Sequence, residues 1–260
     1  MRTCVHRKSK CTLPAGRQAS TLNHEPSTMS SSIIVLTGAG MSAESGISTF
    51  RDSNGLWENH RVEDVASPIA WERNPKLVMN FYNLRRKNVM EAEPNAGHLA
   101  LVKLEEKYDV RIITQNVDDL HERAGSSNVL HLHGEIRKAR STVDENLIYP
   151  VDGWELCFGD LCEKGSQLRP HIVWFGEAVP MMTIATRMAR QADILIVIGT
   201  SLMVYPAAGL LYDVPDKVPK FLIDPKASPA YGVENLTIIR ETAGSGVPAL
   251  VERLMKQDRE

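Results

Sequence analysis

The fold turns on Ile33-Ile34-Val35-Leu36-Thr37-Gly38-Ala39-Gly40-Met41-Ser42-Ala43. Four successive large aliphatic residues read as a strand buried on both faces, as in a parallel sheet. The strand runs into G-x-G-x-x-A, where glycines let backbone N–H groups approach a pyrophosphate at a helix amino end. Val110–Thr114, Asp193–Ile198 and Lys220–Ile223 have the same character. Helical patterns lie between them. Residues 75–90 carry Leu77, Val78, Phe81, Leu84 and Val89 behind Pro75, and Asn95 caps a helix carrying Leu99, Val102 and Leu104. Residues 181–192 and 247–256 are further amphipathic segments. This alternation predicts a doubly wound, Rossmann-like α/β fold with a parallel sheet. Insertions at about 43–94 and 134–170 break the rhythm and predict a second, smaller domain, leaving about 30–42, 95–133 and 171–256 for the core.

The 260 residues include 30 Lys+Arg and 32 Asp+Glu, a formal charge of −2. That balance supplies no polycationic field, which argues against bulk binding to nucleic acid or an anionic membrane. The longest apolar run, Ile194–Ile198, falls far short of the ~20 residues that span a bilayer. Four cysteines are too few for a disulfide framework, and no apolar segment follows the amino terminus, so a reducing, cytoplasmic setting is expected. Residues 1–28 hold Arg2, Arg7, Lys8, Lys10 and Arg17 against Glu25 alone, without apolar periodicity. They read as a disordered tail, as an over-extended start ahead of Met29, or as a transit peptide.

The glycine pattern lacks the sequel of a dehydrogenase. No second strand ending in an acidic residue follows about 20 positions on, so hydride transfer is disfavoured. Other blocks are more distinctive: Glu44-Ser45-Gly46-Ile47, Thr49-Phe50-Arg51, Gly55-Leu56-Trp57, Thr114-Gln115-Asn116-Val117-Asp118, His131-Leu132-His133-Gly134-Glu135 and Gly199-Thr200-Ser201. Asn116 and Asp118 follow a strand's carboxyl end, where such sheets bind ligands, although an Asn-x-Asp pair also caps helices. With these blocks in this order over about residues 33–256, the chain resembles the sirtuin family of NAD-dependent protein lysine deacylases. It is most similar to the class III branch, which includes the bacterial deacylases and the mitochondrial desuccinylase.

The resemblance implies a consumed NAD co-substrate held by Gly38, Ala39, Gly40, Ser42, Glu44, Phe50, Arg51, Trp57, Val117, Gly199, Thr200 and Ser201. It implies that Gln115, Asn116 and Asp118 meet the nicotinamide ribose and carboxamide, with His133 as general base and Asn116 and Asp118 as its catalytic companions. Asp224 stands where the family commonly has Asn reading the adenosine ribose; a carboxylate accepts hydrogen bonds there but does not donate. Ala243 falls where the family's backbone meets adenine. Products would be free lysine, nicotinamide and O-acyl-ADP-ribose. Val173, Trp174 and Phe175 would line the acyl-lysine tunnel, with the substrate peptide added as a strand. Tyr82 and Arg85, three apart on one helix, share a face and can converge on an anion. They match the family's Tyr-x-x-Arg signature for succinyl- and malonyl-lysine, so desuccinylation and demalonylation are expected beside deacetylation. His98, His131 and His171 are assigned to packing, capping or an outer hydrogen bond.

The family usually binds a structural zinc through two Cys pairs, but Arg137–Thr142 contains no cysteine. Cys157 and Cys162 alone, as weak candidates, leave a tetrahedral site open, so zinc is doubtful and Trp154, Leu156 and Phe158 would hold the insert by packing. Expected partners are acylated-lysine proteins or peptides, with no nucleic acid or membrane, and a monomer. Mono-ADP-ribosyl transfer and a non-catalytic NAD-binding regulator remain as alternatives.

Overall fold

Ser32–Thr37 forms β1, a strand whose Ile33, Ile34 and Val35 are fully buried. Each such side chain contributes roughly 1.5–3 kcal/mol of burial, which accounts for its central place. The computed structural model describes residues 31–48, 56–57 (backbone only) and 60–257. Residues 1–28, Met29, Phe50, Arg51 and the Trp57 side chain, all named above, lie outside the described residues.

Chain order after β1 runs β2 (Leu56–Trp57), β3 (His60–Arg61), α1 (Val62–Val65), α2 (Pro68–Arg73), α3 (Pro75–Glu91) and α4 (Ala96–Leu104). Then come β4 (Asp109–Thr114), α5 (Leu120–Ala124), β5 (Val129–His131), β6 (Gly134–Ser141), β7 (Ile148–Pro150) and β8 (Leu168–Ile172). The chain finishes with α6 (Met182–Arg190), β9 (Ile194–Ile198), α7 (Leu210–Asp213), β10 (Lys220–Ile223), β11 (Leu236–Ile239) and α8 (Ala243–Lys256).

Six strands pair in parallel in the order β11-β10-β9-β1-β4-β5. This is the doubly wound α/β sheet that the alternation implies. One face packs on α4 and α8 through Leu101, Leu104, Val247, Leu250 and Leu254, and the other on α6 and α7 through Ala185, Ala189, Leu210 and Leu211. The chain winds from β1 toward β4 in one direction and toward β9 in the other. The switch point therefore lies between β1 and β9, where such sheets open a ligand crevice. No helix among the described residues is long and apolar enough to cross a membrane.

Three local expectations need correction. The glycine turn opens no regular helix: two short 3₁₀ turns, Ala39–Met41 and Ala43–Ser45, follow β1 and end at Gly46 in a left-handed conformation. Glycine is a poor helix former, and Gly40 N–H bonds instead to the Gly199 carbonyl at 2.8 Å. Helix α8 begins at Ala243, before the periodic segment, because Ala243-Gly-Ser-Gly carries no amphipathic signal. Leu84 and Leu99 are exposed, whereas Tyr82, Arg85 and Arg86 are buried, since α3 is enclosed on two sides.

The second body joins α1–α3 to an antiparallel sheet ordered β7-β6-β8, whose strands carry too much charge to be read from periodicity. Leu156, Cys162 and Leu168 pack with Met79, Ala139 and Val151, but Phe158, assigned above to this packing, is exposed. Buried polar groups do the remaining fastening. Arg86 donates to the carbonyls of Ile136 (2.6 Å) and Trp154 (2.8 Å) and to Asn83 Oδ1 (2.8 Å). Asn83 Oδ1 also accepts from Leu156 N, and its amide donates to the Leu156 carbonyl. Burial lowers the Arg86 pKa to about 10. Substituting Arg86→Met should destabilise the protein by roughly 2–4 kcal/mol by stranding buried acceptors. Thermal unfolding would measure this loss.

Candidate active site

One cavity of about 520 Å³ runs from the β1 glycine turn, past the ends of β4 and β9, to α3 and the segment after β8. Its volume lies in the range of small-molecule sites. The glycine turn belongs there because of close approach. Gly38 N bonds to the Ile198 carbonyl, and a Cβ on Gly40 would meet Gly199 Cα at 2.7 Å. Backbone therefore lies on backbone at the switch point, leaving the crevice above open.

Beyond β4, a directed chain of hydrogen bonds holds three side chains. Asn116 Nδ2 donates to Ser42 Oγ (3.1 Å), which donates to Asp118 Oδ2 (3.0 Å). Asp118 Oδ1 accepts from Leu120 N, the first residue of α5, while the N-cap position itself is Asp119. Burial raises the Asp118 pKa, against the pull of its hydrogen bonds. Gln115 Nε2 reaches Thr200 Oγ1 at 3.3 Å, tying the β4 and β9 loops together.

The two histidines flanking Leu132 have opposite proton states. His133 Nδ1 lies 3.0 Å from the Gln115 carbonyl, an acceptor only, so Nδ1 carries the proton and Nε2 keeps its lone pair. Burial holds its pKa below the ordinary value. His131 meets acceptors at both nitrogens, the Asn116 carbonyl (3.0 Å) and Glu122 Oε1 (2.7 Å). Burial opposes its charge, but Glu122 outweighs burial and the pKa is raised. His131 thus serves as an outer brace for Asn116, and His98 caps α4. Burial lowers the His171 pKa to about 4.

At the far end, Tyr82 and Trp174 are buried with the phenol close to the indole N–H, and among the described residues neither Tyr82 Oη nor Trp174 Nε1 makes a hydrogen bond of good geometry. Burial pushes the phenol pKa well up, while neighbouring Arg85 pulls against it. Trp174 is locked in place. Arg169 lies 3.4 Å over its ring, forks onto both Glu177 carboxylate oxygens at 2.8 and 3.0 Å, and Glu177 accepts from Trp174 N. Phe175 is half exposed at the cavity wall.

Gly38, Ala39, Gly40, Ser42, Glu44, Gln115, Asn116, Val117, Asp118, His133, Gly199, Thr200, Ser201 and Asp224 line this cavity with Tyr82, Arg85, Val173, Trp174 and Phe175. Glu44 also ties down the start of α8, accepting from Thr242 Oγ1 and Gly244 N. Ala243 is buried, with its carbonyl against Gly97, and its neighbour Thr242 lines the cavity. Lys226 and Thr242 were not singled out from sequence, because only folding brings their loops to the crevice.

No group of three or more His, Cys, Asp or Glu among the described residues is arranged to hold a metal. Cys162 is buried among apolar side chains, and a hydrogen bond with Ser141 lowers its thiol pKa. These residues do not fit a closed four-ligand zinc site.

A Sir2 family model matches residues 38–206. The chain is 52% identical over 226 residues to an NAD-dependent protein deacylase of Helicobacter pylori, covering 86% of this chain and 97% of that relative. It is 51% identical over 228 residues to a protein of the same description from Bacteroides thetaiotaomicron, with coverage of 86% and 97%. A solved Sir2 homologue–NAD complex matches with a TM-score of 0.79 at 41% identity, over 87% of this chain and 90% of that one. A Sir2 structure with a deacetylated p53 peptide and 3′-O-acetyl ADP ribose gives 0.72 at 30% identity, over 87% and 93%.

Gly134 follows His133 directly, with φ +82, and a Cβ there would collide with the His171 carbonyl. Gly134→Ala should cost more than about 3 kcal/mol, whereas Gly153→Ala, with φ +74 but open space around it, should cost only about 1 kcal/mol. Denaturant unfolding of both variants separates collision from dihedral strain.

Proposed function

The chain belongs to the Sir2 family and is an NAD-dependent protein deacylase; we propose that it removes succinyl and malonyl as well as acetyl groups from lysine. On this reading acyl-lysine, NAD and one water give free lysine, nicotinamide and O-acyl-ADP-ribose. Residues 29–256 form the catalytic unit, a cytoplasmic monomer acting on acylated proteins or peptides.

The observation that carries the mechanism is the His133 tautomer: Nδ1 is committed to the Gln115 carbonyl, so Nε2 is a ready base in a cavity that suits a dinucleotide. When bound, NAD supplies an anomeric carbon that releases nicotinamide and accepts the acyl oxygen, with a ribose hydroxyl to receive the acyl group. His133 takes the hydroxyl proton at Nε2. Asn116, Ser42 and Asp118 present fixed polar atoms to the ribose and carboxamide, and Gly38 and Gly40 admit the phosphates to backbone. Trp174 and Phe175 keep bulk water from the reacting centre.

Acyl preference is read from α3. Tyr82 Oη and Trp174 Nε1 are buried beside each other without a well-formed hydrogen bond among the described residues, and Arg85 lines the same end of the cavity. An acyl carboxylate would satisfy both donors and meet a guanidinium, which a methyl group does not.

A panel of acetyl-, malonyl- and succinyl-lysine peptides, with and without NAD, tests the reading by mass spectrometry. Loss of the acyl group supports it, whereas gain of ADP-ribose on the peptide would indicate ADP-ribosyl transfer. His133→Ala should abolish turnover and still bind NAD. Because burial lowers the His133 pKa, the neutral base persists as pH falls. The acid limb of kcat/KM should therefore lie below the ordinary imidazole value of about 6.5. Arg85→Met should cut succinyl activity at least about tenfold more than acetyl activity. Equal losses would make Arg85 a support of the helix.

A further inference from the structure

Behind the cavity, between β1, β4, α4 and α5, lies a buried row of polar side chains that the mechanism above does not use. We propose that Asn95, His98, His121, Thr37 and Thr114 form one directed hydrogen-bond chain that sets the position of Asn116, with His121 and Thr114 as positioning residues for the reaction. This rests on the reading of Asn116 as a group that meets the nicotinamide ribose.

The direction of the chain follows from donors and acceptors. Asn95 N–H donates to His98 Nδ1 at 3.2 Å, so Nδ1 is a lone pair and neutral His98 carries its proton on Nε2. At the other end, Asn116 N–H donates to Thr114 Oγ1 (3.0 Å), which also accepts from Thr37 Oγ1 (2.8 Å). The single Thr37 proton is thereby committed. His121 Nε2, 3.1 Å from Thr37 Oγ1, must then be the donor, and its Nδ1 holds a lone pair.

Two unsatisfied buried atoms remain, and they are complementary: His98 Nε2, a donor, and His121 Nδ1, an acceptor. The two rings face each other with centroids 4.8 Å apart, inclined at 59°. His98 is fully buried and His121 almost so, and polar atoms at such depth are costly to leave without a partner. A hydrogen bond from His98 Nε2–H to His121 Nδ1 would satisfy both. Burial keeps both rings neutral, with the charged His131 adding to the effect on His121, as this tautomer pattern requires.

The chain also reaches the glycine turn, because Asn95 Nδ2 donates to the Met41 carbonyl (2.8 Å) and to Ser45 Oγ (3.1 Å). It therefore references Asn116 and the Ser42 loop to one helix cap. In this arrangement Thr114 touches no ligand and acts through Asn116.

Two measurements test the chain. Two-bond ¹⁵N–¹H spectra of ¹⁵N-histidine-labelled wild-type protein at pH 7, assigned with H98Q and H121Q, should show both rings neutral and protonated on Nε2. An Nδ1 proton on either ring, or an imidazolium, would overturn the proposal. Second, NAD titration calorimetry and steady-state kinetics compare Thr114→Val with Thr114→Ser. The valine variant should lose about tenfold in NAD affinity and in kcat, with the KM for acyl peptide and cooperative melting preserved. Serine, which keeps the oxygen, should restore both. A valine variant that binds and turns over NAD like wild type sinks the positioning role. Spectra are read on the wild-type chain, so a misfolded variant does not remove the test. If wild-type protein consumes no NAD with any acyl peptide, the deacylase reading fails, while tautomers and calorimetry still judge the chain.

Discussion

Backbone lies directly on backbone where β1 ends and β9 ends. Gly38 and Gly40 N–H groups bond to the Ile198 and Gly199 carbonyls, and side-chain carbon at Gly38 or Gly40 would occupy space already held by Gly199 or Thr200. Gly199 itself takes φ +61 to make the approach. Because β1 and β9 are the strands between which the winding direction reverses, this contact brings the two loops together beneath the crevice. The polar chain through Asn116, Ser42 and Asp118 meets the turn at Ser42, two residues beyond Gly40. Bulk there would separate the loops and with them the groups that must meet one ligand.

Proton placement in the site is decided by second partners rather than by the histidines themselves. His131 and His133 are two residues apart on one short segment, and each Nδ1 meets a backbone carbonyl. Glu122 beside the other nitrogen of His131 raises that ring's pKa and favours its charged form. Among the described residues His133 makes no such carboxylate hydrogen bond, and burial lowers its pKa. One short segment thus holds two imidazoles of opposite proton affinity. The same logic extends inward to His98 and His121, whose neutral forms alone suit the donors and acceptors around them.

The smaller body is held by buried polar groups in a family that usually relies on thiolates and zinc. Arg86 and Asn83 reach from α3 to three carbonyls of the insert, and Glu177 gathers Arg140, Arg169 and the Trp174 amide. These interactions orient the cavity wall as well as the fold. The α3 helix therefore presents Tyr82 and Arg85 to the cavity while Asn83 and Arg86, on the neighbouring face of the same turn, anchor the sheet beside it.

Much of this was legible along the chain. β1, β4, β9 and β10 are largely apolar runs whose lack of alternation means burial on two faces, and Asn95 sits where a cap must be. The glycine pattern placed the crevice, and the blocks around Asn116 and His133 named its chemistry. What escaped was whatever depends on a distant partner. β6 and β8 carry arginines and lysines that become strand residues only through antiparallel pairing and the Glu177 ion pairs. Phe158 and Leu84 are apolar yet exposed, because the faces they share found no neighbour. Sequence determined local conformation and the inventory of reactive groups, since both follow from a few consecutive residues. Tertiary structure alone decided which histidine is charged, which tyrosine is dry and which arginine is a pin, because desolvation and hydrogen-bond partners arrive from elements tens to hundreds of residues away.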